Sequence, residues 1–381
     1  MKKLSKILAL FLAVTLFTLA VSSCLANSVS ATEISYSYAL IEGNSGTLLY
    51  TENAYIPFPT HHSSKLMTLL LLSEAIERNE LSEDTVIKVS PHANAQQGAQ
   101  IWLSVGEEIS ISELITSITV GNANDACVAI AEAVCQTEEK FTERMNLRAS
   151  ELGMTQTIYS NSTGMGEGNL TTAADLAILA SALSKHEYLV KYMTTWQATV
   201  RGGKVELAST NRFIRNYEGA TGMKAYYSKD CGNCLIASAK KGDLTLICVI
   251  LGEPDEYNHF KTAKEKLNIG FSAYTLYTPN KKAVFCESVR VKNGVQSFVE
   301  TELEAPKAIV VRKSQKENIE FRVEYFENIQ APLKKGDAVG RVVYFIDDTD
   351  IFELKIVAKD DVLRQNFGSA LLKCLKYLFG C

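Results

Sequence analysis

The chain has 381 residues, with 39 Lys and Arg against 43 Asp and Glu, and 46% of it is hydrophobic. No stretch clusters Lys and Arg with aromatic residues in the manner of a nucleic-acid surface, so that class of partner is excluded. Without residues 1–31 the balance becomes 36 basic against 43 acidic residues, a formal charge of −7, on a chain long enough for two cores.

Residues 1–31 read as a signal peptide. Lys2, Lys3 and Lys6 precede an uncharged apolar run from Ile7 to Val21. That run is shorter than the roughly 20 residues a spanning helix needs and suits a signal-peptide core. Two exits are present. Val29-Ser30-Ala31 has the small-x-small form of a signal-peptidase site. Val21-Ser22-Ser23-Cys24 has the form of a lipoprotein site, which is favoured and makes Cys24 the lipidation candidate. Either exit implies an exported protein on the outer face of the cytoplasmic membrane, in the cell envelope.

Residues 34–51 hold two β-rich runs around a Gly/Asn turn, the pattern of a hairpin. Ser63 to Arg78 switches to helical periodicity, with Leu66, Leu69, Leu70, Ala75 and Ile76 on one side. Ile111 to Glu132 is largely helical, and Thr137 to Leu152 is amphipathic. Thr171 opens a further helix with Thr172 and Asp175 in its first turn. Leu235 to Leu251 is β-like, broken by the turn Lys240-Lys241-Gly242-Asp243. Helices set between distant strands predict an α/β domain over 32–278 with an antiparallel sheet.

After Pro279 the pattern becomes short alternating runs, at 288–292, 308–312 and 342–346, with turns at Asn293-Gly294 and Lys335-Gly336-Asp337. This predicts a small all-β sandwich over 283–360. In the last segment, 361–381, Phe367, Leu371, Cys374, Leu375 and Leu378 share one helical face, and Ser369, Lys373 and Lys376 the other. A cationic amphipathic helix at a chain end is suited to the membrane interface.

The nine cysteines form no repeated disulfide framework. Cys127, Cys135 and Cys248 lie in apolar runs and read as core thiols. Cys231-Gly-Asn-Cys234 has the spacing of a redox pair or a zinc half-site, without partner ligands in sequence. Trp102 and Trp196 read as packing residues, Asp125 as a helix cap and Asp175 as an early-helix charge.

A series of segments resembles the serine D-Ala-D-Ala carboxypeptidases, the low-molecular-weight penicillin-binding proteins. It comprises Ser64-Lys65-Leu66-Met67-Thr68, Gly98-Ala99-Gln100-Ile101-Trp102-Leu103, Gly106-Glu107 and Val120-Gly121-Asn122-Ala123-Asn124-Asp125-Ala126. Glu151-Leu152-Gly153-Met154, Thr171-Thr172-Ala173-Ala174-Asp175-Leu176-Ala177 and Leu235-Ile236-Ala237-Ser238-Ala239-Lys240-Lys241 complete it. Order and spacing match over about 240 residues, and the β domain and terminal helix match the family's C-terminal half. The resemblance implies a penicillin-binding, β-lactamase-like transpeptidase fold followed by the β-sandwich and terminal helix. It also implies action on peptidoglycan stem peptides without a cofactor or metal. In that family the serine of S-x-x-K attacks the D-Ala-D-Ala bond, the lysine takes its proton, S-x-N relays protons, and K-T-G holds the substrate carboxylate.

This chain departs from that pattern at the positions that do the chemistry. Lys65 matches the lysine of the first motif, but His62 stands where the serine belongs. The second motif reads Asn122-Ala123-Asn124, which keeps the asparagine and replaces the serine. The third reads Lys224-Ala225-Tyr226, which loses the hydroxyl and puts tyrosine in place of glycine. Residues i and i+2 of a strand share a side, so Tyr226 is expected to project into the cleft beside Lys224. Losing a nucleophile costs around six orders of magnitude in rate in a serine hydrolase. The expectation is a catalytically silent family member that binds a muropeptide or acts as a scaffold, Lys224 and Asn124 still holding a carboxylate and an amide. The alternative is an active D,D-carboxypeptidase with a displaced serine, Ser63 or Ser64. Each of these lies about 100° per residue around the helix from the Lys65 face. A metal site on His61 and His62 is disfavoured because adjacent helical residues diverge.

Overall fold

The computed structural model describes residues 36–368 and Leu371. The leader with Cys24 and most of the terminal segment expected to be amphipathic lie outside the described residues. Among the described residues no helix is long and apolar enough to cross a membrane.

Two compact units divide the chain. The first comprises residues up to 41, 48–239 and 247–264; the second comprises 42–47, 240–246 and 265 onward. The first is built on a five-stranded sheet. Its strands are β1 (Ser37–Glu42), β2 (Leu48–Glu52), β3 (Ala220–Ser228), β4 (Gly232–Lys241) and β5 (Leu244–Glu253), in the order β2-β1-β5-β4-β3. The β1–β2 pair is the antiparallel hairpin expected from the Gly/Asn turn, with Leu40 opposite Tyr50. β5 is buried along its whole length, which its apolar run Leu-Thr-Leu-Ile-Cys-Val-Ile-Leu requires of a central strand.

Five helices set the site. They are α1 (Ser64–Glu77), α2 (Ile111–Gly121), α3 (Asn124–Cys135), α4 (Glu138–Leu152) and α5 (Ala173–Ser184). α1 is apolar on nearly every side and buried accordingly; Leu66, Leu69 and Leu72 join Ile115, Ile118, Leu176, Ile247 and Val249 in one core. Each of the others starts on a hydroxyl cap except α3. Ser110 accepts from the Glu113 amide, Thr137 from that of Lys140 and Thr172 from that of Asp175. α4 stops at Gly153 in the left-handed region, φ +81°.

The helical region expected over 111–132 is two helices. The break falls at Asn122, whose φ of +58° ends α2, and at the extended Ala123. Asparagine tolerates that conformation at little cost, which is why the break sits there.

The second unit holds a four-stranded antiparallel sheet of β6 (Thr301–Leu303), β7 (Glu320–Tyr325), β8 (Ala338–Ile346) and β9 (Thr349–Ala358), in the order β6-β9-β8-β7. Val339, Val342, Tyr344 and Ile356 form its core, and Tyr344 stacks on Phe352 with ring centroids 4.4 Å apart. The run at 342–346 lies in β8, and that at 308–312 forms Ile309–Arg312 against Tyr274–Tyr277. The run at 288–292 supplies only the short strand Val289–Arg290.

Candidate functional site

The start of α1, the α2–α3 corner and β3 converge in the first unit. The chain enters α1 through a single 3₁₀ turn, His61–Ser63, with His61 at φ +41°. This irregular entry turns Ser63 and Ser64 back on themselves. The Ser63 hydroxyl donates to the Thr60 carbonyl at 2.5 Å and the Ser64 hydroxyl to the Thr60 hydroxyl at 2.7 Å, both fully buried.

Lys65 is likewise buried, and its ammonium donates to Asn124 Oδ1 at 2.7 Å and to the Thr163 carbonyl at 2.8 Å. Asn124 in turn donates to the Gln97 carbonyl at 2.6 Å. Burial pushes the Lys65 amine below the ordinary lysine range. Lys224 on β3 donates to the Ile118 carbonyl at 2.6 Å and is pushed down to about 7, first by burial and then by the charge of Lys65. A buried amine already bonded to a main-chain carbonyl is a weak anchor for a carboxylate.

A cleft of about 650 Å³ lies alongside. His62, Asn122, Ala225 and Tyr226 line it, together with Trp196, Arg212, Tyr227, Tyr257 and His259. Lys65, Asn124 and Lys224 are absent from that lining and are only 0%, 1% and 3% exposed. Lys65, Asn124 and Lys224 are thus sealed beneath the wall, and His62, Asn122, Ala225 and Tyr226 form part of it. Tyr226 borders the cleft together with its strand neighbours Ala225 and Tyr227, whereas Lys224 turns its amine to α2, so the expected placing of Tyr226 beside Lys224 in the cleft is not seen.

Electrostatics fit this division. His62 is pushed down to about 3 by burial, with Lys65, Lys224 and His61 adding repulsion, so its imidazole is uncharged at neutral pH. It meets the Tyr226 ring edge-on with centroids 6.0 Å apart. The Tyr226 hydroxyl is buried without a hydrogen bond of good geometry, beside Ser63, Cys234 and Cys231, and burial raises it well above the usual phenol range. The wall carries a cation on an aromatic ring, the Arg212 guanidinium 4.4 Å from the Tyr257 ring centre, and Arg215, outside the lining, holds Trp196 at 4.9 Å.

Several sequence expectations are placed by these contacts. Asp125 stands in the first turn of α3 and accepts from the Ile101, Leu103 and Ala126 amides, so it fastens the 101–103 loop as well as its own helix. Asp175 accepts from the Gln156 amide and the Thr157 hydroxyl. Trp102 is not a packing residue: it has φ +56° and is 67% exposed. Its loop is held through main-chain atoms, with Arg201 donating to the Ile101 and Trp102 carbonyls while gripping the Glu107 carboxylate. Trp196 lines the cleft. Tyr227 is exposed, so of the adjacent tyrosines only Tyr226 fills space behind the wall. His61 and His62 diverge, the first toward Asp230 at 3.7 Å and the second toward Tyr226. Among the described residues no group of three or more His, Cys, Asp or Glu side chains converges to hold a metal. Thr60, Thr163, Arg212, Tyr257 and His259 carried no sequence signal, since tertiary packing alone brings them here.

The D-alanyl-D-alanine carboxypeptidase family model matches residues 25–255, and that of the penicillin-binding protein 5 C-terminal domain matches 271–364. The D-alanyl-D-alanine carboxypeptidase DacF of Bacillus subtilis (strain 168) is 33% identical over 344 residues, 89% of this chain and 88% of that protein. DacC of Escherichia coli (strain K12), also a D-alanyl-D-alanine carboxypeptidase, is 26% identical over 339 residues, 87% of this chain and 84% of its own length. The crystal structure of penicillin binding protein 5 from Haemophilus influenzae shares the fold with a TM-score of 0.77 at 24% identity, covering 86% of this chain and 97% of that one. The chain is therefore a member of the D-alanyl-D-alanine carboxypeptidase family, the low-molecular-weight penicillin-binding proteins.

Proposed function

We propose that this chain is a catalytically silent carboxypeptidase relative of peptidoglycan metabolism, which holds a muropeptide or serves as a scaffold in the cell envelope. The observation that carries the reading is the surroundings of the Lys65 amine. Its partners are an amide oxygen and a main-chain carbonyl, and the side chain one turn ahead of it is the imidazole of His62. An amine so engaged has no alcohol to deprotonate, and loss of a nucleophile removes around six orders of magnitude in rate. The Ser63 and Ser64 hydroxyls both bond to Thr60 rather than Lys65, which weighs against either as a displaced nucleophile.

In this reading His62 and Asn122 occupy the positions of the lost hydroxyls, Lys65 and Asn124 are structural, and Ala225 and Tyr226 shape the wall. Lys224 is buried and its amine is taken up by the Ile118 carbonyl, so recognition of a stem peptide falls to the cleft surface. The basic start and apolar run of residues 1–21 support export, with Cys24 the candidate for lipidation. The alternation of residues 366–381 supports membrane association of the C-terminal end. The test is a labelling gel with a fluorescent penicillin at saturating concentration, paired with D-Ala release from a D-Ala-D-Ala peptide. No adduct and no release above buffer are expected. An adduct at Ser63 or Ser64, or release at ordinary enzyme rates, makes the chain a working carboxypeptidase.

A further inference from the structure

The hairpin that carries the third motif closes through Ser228-Lys229-Asp230-Cys231-Gly232, and Cys234 follows at the start of β4. Cys231 and Cys234 are both free thiols, 1% and 0% exposed, with their sulfurs 3.6 Å apart and the Cys234 thiol donating to Cys231 Sγ. The Ser228 hydroxyl lies 2.9 Å from the same sulfur and accepts from the Cys231 amide at 3.2 Å. The turn imposes this approach. Gly232 has φ +63°, and a Cβ there would stand 2.9 Å from the Glu253 carbonyl, so only glycine lets the chain double back at this point. Across the ladder Cys234 is the direct partner of Tyr226. Directly opposed residues share a sheet face, which sets the thiol behind the tyrosine that lines the cleft.

We propose that Cys231 and Cys234 are a dithiol–disulfide pair, a modification site that clamps the hairpin tip and resets the position of Tyr226. The reaction is exchange with a small-molecule or protein disulfide. The Cys231 thiolate attacks one sulfur of the reagent, forms a mixed disulfide and expels the first thiolate. Cys234 Sγ then attacks Cys231 Sγ and expels the second. The two thiol protons end on the two released thiols, and the two electrons given up by the cysteines reduce the reagent.

The order follows from the surroundings. Hydrogen bonds from Cys234 and Ser228 hold the Cys231 thiol below the usual range, whereas burial pushes Cys234 well above it. Cys231 also adjoins the exposed Lys229 and Asp230, so local opening of the tip admits the reagent. Closing the bond brings the sulfurs from 3.6 Å to about 2.05 Å. That removes the Cys234 proton and draws its sulfur from the Tyr226 hydroxyl.

The test equilibrates the full chain with mixtures of oxidised and reduced glutathione, quenches in acid, alkylates with N-ethylmaleimide and maps the peptide spanning both cysteines by mass spectrometry. The expected product at the oxidising end is that peptide two hydrogens lighter and without the alkyl label. Cys234→Ser is expected to trap glutathione on Cys231, and Cys231→Ser to form its adduct about tenfold more slowly. Amide exchange over 224–228 should differ between the oxidised and reduced wild type and not respond to glutathione in the double serine variant. Full alkylation of both cysteines across the series, or pairing of either with another cysteine, overturns the proposal. An oxidised pair with unchanged exchange at 224–228 overturns its link to Tyr226.

Discussion

His62 sits in its pocket as an uncharged imidazole, and that fact has a thermodynamic consequence. Its folded-state value is about 3 against 6.5 in an unfolded chain. Between those limits the unfolded chain carries the proton and the folded one does not. Stability therefore holds above pH 6.5 and is lost as pH falls toward 3, with a slope approaching about 1.4 kcal/mol per pH unit for this one group. The groups facing it are Lys65, Lys224 and His61, all of which oppose a positive charge there. His259 across the cleft, pushed down to about 4 by burial, acts in the same direction, with Glu256 partly relieving it. Melting temperatures of the wild type and of His62→Asn, compared from pH 7 to pH 4, isolate the His62 share from that of the carboxylates. The variant should lose less on acidification, and parallel curves would mean that His62 takes up its proton in the folded state. The placement of His62 one turn ahead of Lys65 was legible from spacing alone. Its neutrality was not, because it depends on two buried lysines from positions 65 and 224 whose proximity only the fold creates.

At the scale of elements, the helix start that holds His62 is braced by the loop over 160–168. Thr163 supplies the carbonyl for Lys65, and the next residue, Gly164, has φ +77° and packs directly on the turn. A Cβ on Gly164 would fall 1.9 Å from the His61 carbonyl oxygen and 2.6 Å from the Ser64 hydroxyl. Gly166 has nearly the same φ, +82°, and nothing within 4 Å of its added Cβ. The pair separates strain of the backbone from collision. Gly166→Ala should cost about 1 kcal/mol, the ordinary penalty of a left-handed residue. Gly164→Ala should cost about 3 kcal/mol or more, since overpacking adds to it. Urea unfolding of the two variants checks this, and equal losses would show that the loop yields freely. The elements themselves were largely readable. β-rich runs marked β1, β2, β4 and β5, and the helices expected from Thr137 and Thr171 start at Glu138 and Ala173, Thr171 itself lying in a short strand. The corner at Asn122 was missed because the apolar spacing continues through it. Trp102 was misread because its size suggested burial, whereas its main-chain carbonyl is what the structure uses.

At the scale of the whole molecule, the compact units divide at residue 265, with 42–47 and 240–246 also in the second, rather than at the change of pattern after Pro279. The core around Leu72, Ile115 and Ile247 and the core around Val342, Tyr344 and Ile356 have no residue in common. Chains with separate cores depart from a single two-state transition. The first contains every residue that lines the cleft, and the second contains none. Calorimetry on the full chain should accordingly resolve two transitions. Ile356→Ala removes a fully buried side chain of the second core and should lower one of them by an amount equivalent to about 2–5 kcal/mol. Leu72→Ala should lower the other by a similar amount. The exchange behaviour of residues 224–228 beside the cleft should follow the Leu72 variant and ignore the Ile356 variant. A single transition displaced equally by both substitutions would instead make the two cores one thermodynamic unit, and damage in the β domain would then reach the cleft through global stability.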